Sequence, residues 1–393
     1  MPSRDKTAIN IQDVLFSVFT LKRIRETGHP FFKSSRFFSL TSPHPLMMTH
    51  TDATELLKRL IAIPSVSRDE KAAADFLEEH LKQLQLFPMR HHNNLWCVGR
   101  AQLSNRPTLL LNAHIDTVKP AAGWLSDPFT PQVEGERLYG LGSNDCGGGL
   151  VSLLAVFTQL EKRTDIPWNF VFLASAEEEV SGKNGIESVI PLLPHIDCAI
   201  VGEPTGMQPA IAEKGLMVLD CTAHGRAGHA ARNEGDNAIY HAIDDIQWVR
   251  TFQFPEVSPL LGPVKMSVTI VQAGTQHNVV PDACTFTIDV RSNECYTNQK
   301  LLEEISAHLK SDVKARSTRL SSSSVSPTHP LVLRAEALGR RPFGSPTLSD
   351  QALMPWPSLK MGPGESSRSH TAGEYIGLQE IEEGIALYLK LLE

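Results

Sequence analysis

The sequence predicts an α/β fold: a mixed, mostly parallel sheet flanked by helices, with a smaller α+β domain inserted into it. Three observations predict it. Residues 108–113, Asn169–Ser175 and residues 198–202 are short apolar runs, as strands buried on both faces require. Helical patterns alternate with these runs, as crossovers in a parallel sheet demand. From about Leu216 the runs change, because Met217–His224 and residues 266–273 mix polar and apolar residues as half-exposed strands do.

In chain order, residues 1–46 come first. They carry seven basic residues against Asp5, Asp13 and Glu26, with many phenylalanines, and match no folded unit. The acids and the lack of a long apolar stretch argue against an organellar or secretory leader. Residues 1–48 are therefore expected to be an unstructured or upstream extension, with the native start at Met47 or Met48. A helix over residues 52–60 follows, with Thr51 as its expected cap. The next, over residues 71–86, places Ala74, Leu77, Leu81 and Leu84 on one face. Glycines open a third helix over residues 147–162.

The inserted unit reads as strand Met217–His224, helix 236–250, strands 266–273 and Ala283–Arg291, and helix 297–310, a β-α-β-β-α order of ferredoxin-like type. The serine run at 321–324, with Pro327 and Pro330, reads as the linker back. The expected boundaries are 49–215 and 316–393 for the two parts of the main domain, and 216–315 for the insertion.

Composition narrows the function. The chain has 393 residues, 41% of them hydrophobic and 21% charged, enough for two ordinary cores. A formal net charge of -7 gives no electrostatic reason to expect nucleic acid or an anionic membrane, so a small soluble substrate fits better. The six cysteines are scattered without a CxxC pair, which suits reduced thiols and a cytoplasmic protein.

Strand ends carry the chemistry. His114 and Asp116 follow the first buried strand, Glu177, Glu178 and Glu179 the second, and Glu203 the third; Asp145 starts the glycine-opened helix. Ligands of open α/β sheets collect at this edge. Any one of these residues alone is more often a cap or a loop residue; their arrival at one edge points to a site. Histidine and carboxylates without cysteine suit a hydrolytic zinc ion, and no HExxH helix is present.

These segments resemble the M20 metallopeptidase and deacylase family, which includes acetylornithine deacetylase and succinyl-diaminopimelate desuccinylase. The motifs are His114-Ile115-Asp116, Gly142-Ser143-Asn144-Asp145, Ala176-Glu177-Glu178-Glu179, Gly202-Glu203-Pro204-Thr205 and Ser369-His370-Thr371-Ala372-Gly373-Glu374-Tyr375. The resemblance implies two Zn²⁺, with Co²⁺ as a substitute. Asp145 would bridge them, His114 and Glu203 would hold one, and Glu179 and His370 the other. It further implies Glu178 as general base and Asp116 as the partner that holds the His114 ring. Asp145, Glu179 and Glu203 bring three negative charges against four from two Zn²⁺. The family usually reads Asp-Glu-Glu at Glu177-Glu178-Glu179, so base and ligand could instead be Glu177 and Glu178; Val180 and Gly182 favour the first register.

In the insertion, Gly225-Arg226-Ala227-Gly228-His229, Asn278 and Arg291 match family segments. The resemblance implies that His229 helps hold the scissile carbonyl, that Asn278 and Arg291 bind substrate, and that this domain forms a homodimer. Within the family, Gly142-Ser143-Asn144-Asp145 and Ser181-Gly182-Lys183-Asn184-Gly185 look most like acetylornithine deacetylases. N-acetyl-L-ornithine is thus the first expected substrate, with N-succinyl-diaminopimelate, N-succinyl-ornithine or citrulline, and dipeptides as alternatives. A homologue that binds without catalysis should have lost a ligand, and here all five ligands and the candidate base are present. Cys146 is expected to be a small filler at the Asp145 turn.

Overall fold

The computed structural model describes residues 47–232 and 234–393, and the expectations for residues 1–46 lie outside them. The first helix, His50–Ile61, is capped by Thr49 rather than Thr51. The Thr49 hydroxyl accepts the Asp52 N–H, and the Asp52 carboxylate accepts the Thr49 N–H at 2.9 Å. This reciprocal pair needs an acid three residues after the threonine, which Thr49 has and Thr51 lacks; such a cap contributes about 0.5–2 kcal/mol. Just before it, Met48 is buried and its N–H donates to Thr158 Oγ1 at 3.1 Å.

The main sheet has nine strands. Thr108–His114 lies at its centre, parallel to Asn169–Ser175 on one side and to Cys198–Val201 on the other. Ser358–Lys360 continues the parallel set, while Met89–His91, Asn94–Val98 and Ser323–Ser324 add antiparallel edges. Alternation along the central strands feeds two layers. Leu109, Leu111, Phe170 and Phe172 pack in one core with the helices His50–Ile61, Gly148–Leu160 and Leu378–Leu392. Leu110, Val171 and Leu173 pack on the other side with Ile186 and Val189. Gly148–Leu160 runs so close to the end of Cys198–Val201 that a Cβ on Gly149 would lie 1.6 Å from the Gly202 carbonyl oxygen. Glycine there lets the helix seat directly behind the strand end that carries Glu203.

The segment from Met217 to Ala315 builds a separate antiparallel sheet, in the order Lys265–Ala273, Ala283–Arg291, Met217–His224, Asp312–Ala315. Helices Ala238–Thr251 and Asn298–His308 pack on it around Leu219, Phe286, Ile288, Leu301 and Ile305. Asp312–Ala315 is a fourth strand that the sequence pattern did not show, because four residues of alternating exposure carry too little signal. The serine run is also more than a linker: Ser323 and Ser324 pair with Glu213 and Ala212 through backbone groups, for which side-chain propensity is irrelevant. Both connections to the main sheet are stapled by the buried Asn298, whose Nδ2 donates to the carbonyls of Leu216, Thr318 and Leu320. Among the described residues, no helix is long and apolar enough to cross a membrane.

Candidate metal centre

His114 ends its strand, Glu203 follows Cys198–Val201, and Glu178 and Glu179 sit in the short 3₁₀ turn Glu178–Val180 after Asn169–Ser175. Asp145 lies in the turn Ser143–Gly147, and His370 follows the turn Ser366–Arg368. These elements bring the five predicted ligands together. His114 Nε2 lies 3.3 Å from Asp145 Oδ1 and 3.4 Å from Glu203 Oε1. His370 Nε2 lies 3.4 Å from Asp145 Oδ2 and 2.9 Å from Glu179 Oε2. The two oxygens of Asp145 therefore address different histidines, as a carboxylate shared by two cations must.

The donor set fits metal ions on its own evidence. Glu203 Oε1 is buried with no hydrogen-bond donor among the described residues, and a buried carboxylate oxygen left unpaired is costly unless a cation meets it. Burial pushes the Glu178 carboxyl well above the usual carboxylate range and raises that of Glu179. The hydrogen bond to Glu179 lifts the His370 imidazole to about 9. Protons held by such crowded groups are what a divalent cation displaces on binding.

The three consecutive glutamates separate clearly. Glu177 adopts φ 55° and turns into its own loop, where Asn184 Nδ2 donates to its Oε1 at 3.0 Å. A Cβ on Gly182 would lie 1.8 Å from Glu177 Oε2, so the loop folds tightly over that carboxylate. Glu178 instead points inward, its Oε2 4.0 Å from His114 Nε2, and Glu179 meets His370.

Asp116 meets the His114 ring more closely through its backbone than through its carboxylate. The His114 Nδ1 contact at 2.9 Å is to the backbone carbonyl of Asp116, whereas the carboxylate Oδ1 is 3.6 Å away. A carbonyl only accepts, so Nδ1 carries a proton and Nε2 is the ring atom that faces Asp145 and Glu203. The carboxylate accepts the backbone N–H groups of Glu178 at 3.1 Å and Glu179 at 3.2 Å and the Ser67 hydroxyl at 2.7 Å. Asp116 thus ties the histidine strand to the glutamate turn.

Sequence reasoning missed two supports. Buried Glu374 accepts the N–H groups of Asn144 and Asp145, both at 2.9 Å. Asn144 then receives the Glu365 N–H at 3.0 Å and donates to its carbonyl at 3.1 Å, joining the Asp145 turn to the His370 segment. The presence of Glu374 in the His370 motif was the available signal, but its partner lies more than two hundred residues away. Cys146 is buried, and its sulfur accepts the His114 N–H at 3.2 Å; burial pushes its thiol up, which keeps it neutral and inert as a filler.

A cavity of about 390 Å³ opens beside the acids, and Phe343 and residues 345–348 are also part of its wall. His229, Asn278 and Arg291 do not line it. Exposed His229 accepts the Ala231 N–H on Nδ1 at 3.1 Å, the Asn278 carbonyl accepts the Ala230 N–H at 3.1 Å, and Arg291 pairs with Asp289 at 2.8 Å.

A succinyl-diaminopimelate desuccinylase of Corynebacterium glutamicum is 28% identical over 364 residues, covering 87% of this chain and 96% of the relative. The enzyme of that name from Stenotrophomonas maltophilia is 27% identical over 370 residues, covering 86% and 98%. A tripeptidase from Staphylococcus aureus shares the fold with a TM-score of 0.70 at 20% identity, over 88% of this chain and 98% of its own. A dinuclear metal-binding peptidase of family M20 from Bacillus subtilis does so with a TM-score of 0.65 at 16% identity, over 87% and 97%. The model of peptidase family M20/M25/M40 matches residues 110–393, a span that holds every one of the converging acids and imidazoles, and the chain belongs to that family.

Proposed function

We propose that this metal-dependent amidohydrolase hydrolyses the amide bond of an N-acyl amino acid with two zinc ions, which Asp145 would share, His114 and Glu203 holding one and Glu179 and His370 the other when they are bound. The observation that carries this reading is the division of the Asp145 carboxylate between two histidines, which leaves Glu178 beside the centre without a ligand's task. Two bound Zn²⁺, or Co²⁺ in their place, would make a water acidic enough to ionise near neutral pH and would polarise the amide carbonyl. Glu178 takes the proton of the attacking water and returns it to the departing nitrogen. Asp116 keeps the His114 lone pair aimed at the centre.

His229, Asn278 and Arg291 contact substrate when the inserted domain meets the centre, either by closure or across a dimer. A homodimer is supported by the outer strand Lys265–Ala273, whose far edge is unpaired among the described residues and exposes Ile270 and Val271. Tyr240 and Ile243 are exposed on the neighbouring helix. A single sedimenting species of monomer mass at micromolar concentration would remove this part of the reading.

The names of the relatives support an N-succinyl amino acid, of the diaminopimelate type, as substrate. The second reading, N-acetyl-L-ornithine, is supported by the cavity: its lysine, Lys360, is already paired with Glu213 and offers no free cation to a succinyl carboxylate. Turnover of N-succinyl-diaminopimelate, N-succinyl-ornithine and N-acetyl-ornithine, assayed in parallel by release of the primary amine, decides between them. Hydrolysis of one with kcat/KM at least about tenfold above the others, a difference of about 1.4 kcal/mol in transition-state binding, assigns the acyl group. Hydrolysis of dipeptides alone would reject the deacylase reading.

A further inference from the structure

Among the described residues, Lys360 and Glu213 form the only lysine or arginine ion pair with both side chains buried, 3% and 1% exposed, with Nζ 3.2 Å from Oε2. They end the neighbouring strands Ser358–Lys360 and Ala210–Glu213, and Lys360 lies in register with Val201, on the strand that leads into Glu203. Lys360 therefore stands at the sheet edge that carries the metal centre and lines the same cavity, while Glu213 ends a strand antiparallel to its own and meets it from outside the cavity lining.

The Lys360 ammonium is held from more than one side. Besides Glu213, the ammonium donates to the Thr347 carbonyl and to Thr347 Oγ1, each at 3.0 Å. Glu213 in turn accepts the Ser349 hydroxyl at 2.7 Å and the Ser349 N–H at 3.2 Å. The middle and the far end of the segment 345–349 are thus held by the pair, and Ser345 Oγ lies 3.0 Å from Thr347 Oγ1 within it. Residues 346–349 have no regular secondary structure between Phe343–Ser345 and the turn Asp350–Leu353, so strand pairing fixes only Ser345 of this segment. A buried ion pair is weak evidence for stability and is better accounted for by the geometry it enforces.

We propose that Lys360 and Glu213 are positioning residues that hold residues 345–349, of which 345–348 form a substrate-facing wall of the cavity that the carboxylates of the centre also line. The proposal rests on the N-acyl amino acid reading for its kinetic consequence, but the ordering of the wall is independent of it. Because the wall contacts ground state and transition state alike, its loss raises KM and leaves kcat near its value.

The test is the double variant Lys360→Met with Glu213→Leu, which removes both charges together and leaves neither one buried alone. It is expected to keep its metal content, to raise KM about tenfold or more with kcat within about threefold, and to speed hydrogen exchange of the amides in 345–349. Native KM in the folded, metal-loaded variant overturns the proposal, as does native exchange protection of 345–349. Should the double variant not fold, Thr347→Val removes only the hydroxyl that receives Lys360, and it is held to the same two criteria. A wild type that hydrolyses no N-acyl amino acid would defeat the functional reading, while the exchange comparison would still judge the pair.

Discussion

Replacing Glu178 with glutamine is expected to lower kcat by about 10²–10⁴-fold while metal content stays at the wild-type value. That range corresponds to about 2.7–5.4 kcal/mol of transition-state stabilisation. The amide keeps the size of the side chain and the turn around it, and Glu178 is not one of the groups that meet His370 or the orphaned Glu203 oxygen. What it loses is the ability to carry a proton from water to the leaving nitrogen. Metal analysis beside the kinetics separates the two registers of the glutamate triplet. If Glu178→Gln loses metal, Glu178 is a ligand and the base must be sought at Glu177, whose side chain turns toward Asn184 instead.

Asp145→Ala should have the other large effect. Mutation of residues that merely orient a metal ligand typically costs 10- to 100-fold in metal affinity, and Asp145 faces both histidines directly, so affinity at both positions is expected to fall by more than about 10²-fold. Turnover should drop to background. Removing this carboxylate relieves its repulsion of Glu179 but takes a partner from His114 and His370, so the stripped variant is expected to stay folded and to melt at or somewhat below the stripped wild type. Equilibrium dialysis against Zn²⁺ with a thermal melt of the stripped protein checks both statements; a variant that binds two ions with native affinity would exclude Asp145 as the bridge.

The residues that converge here were legible in the sequence because they stand at strand ends, and strand ends are marked by the apolar runs before them. Asn169–Ser175 and Ala283–Arg291 occur at the residues expected, since seven to nine consecutive residues carry a clear pattern. Shorter elements were not legible. Asp312–Ala315 and Ser323–Ser324 exist only because a neighbouring strand offers a free edge. Supports that join distant segments were equally hidden: nothing near Asp145 announces Glu374, and nothing near Lys360 announces Glu213. The Asp116 contact shows a finer limit, because a motif can place the residue without saying whether its carboxylate or its carbonyl does the holding. Arg291 illustrates a signal available but unused. Alternation puts Asp289 and Arg291 on one face of the same strand, where they pair with each other.

The central claim is that two metal ions at the shared Asp145 carboxylate drive amide hydrolysis. Titrating the metal-stripped protein with Zn²⁺ while following release of amino acid from its best N-acyl substrate tests it most directly. The account predicts no turnover without metal, and activity that rises to a plateau as about two ions bind per chain. Full activity in the stripped protein, or no gain in turnover when both positions are filled, would contradict it.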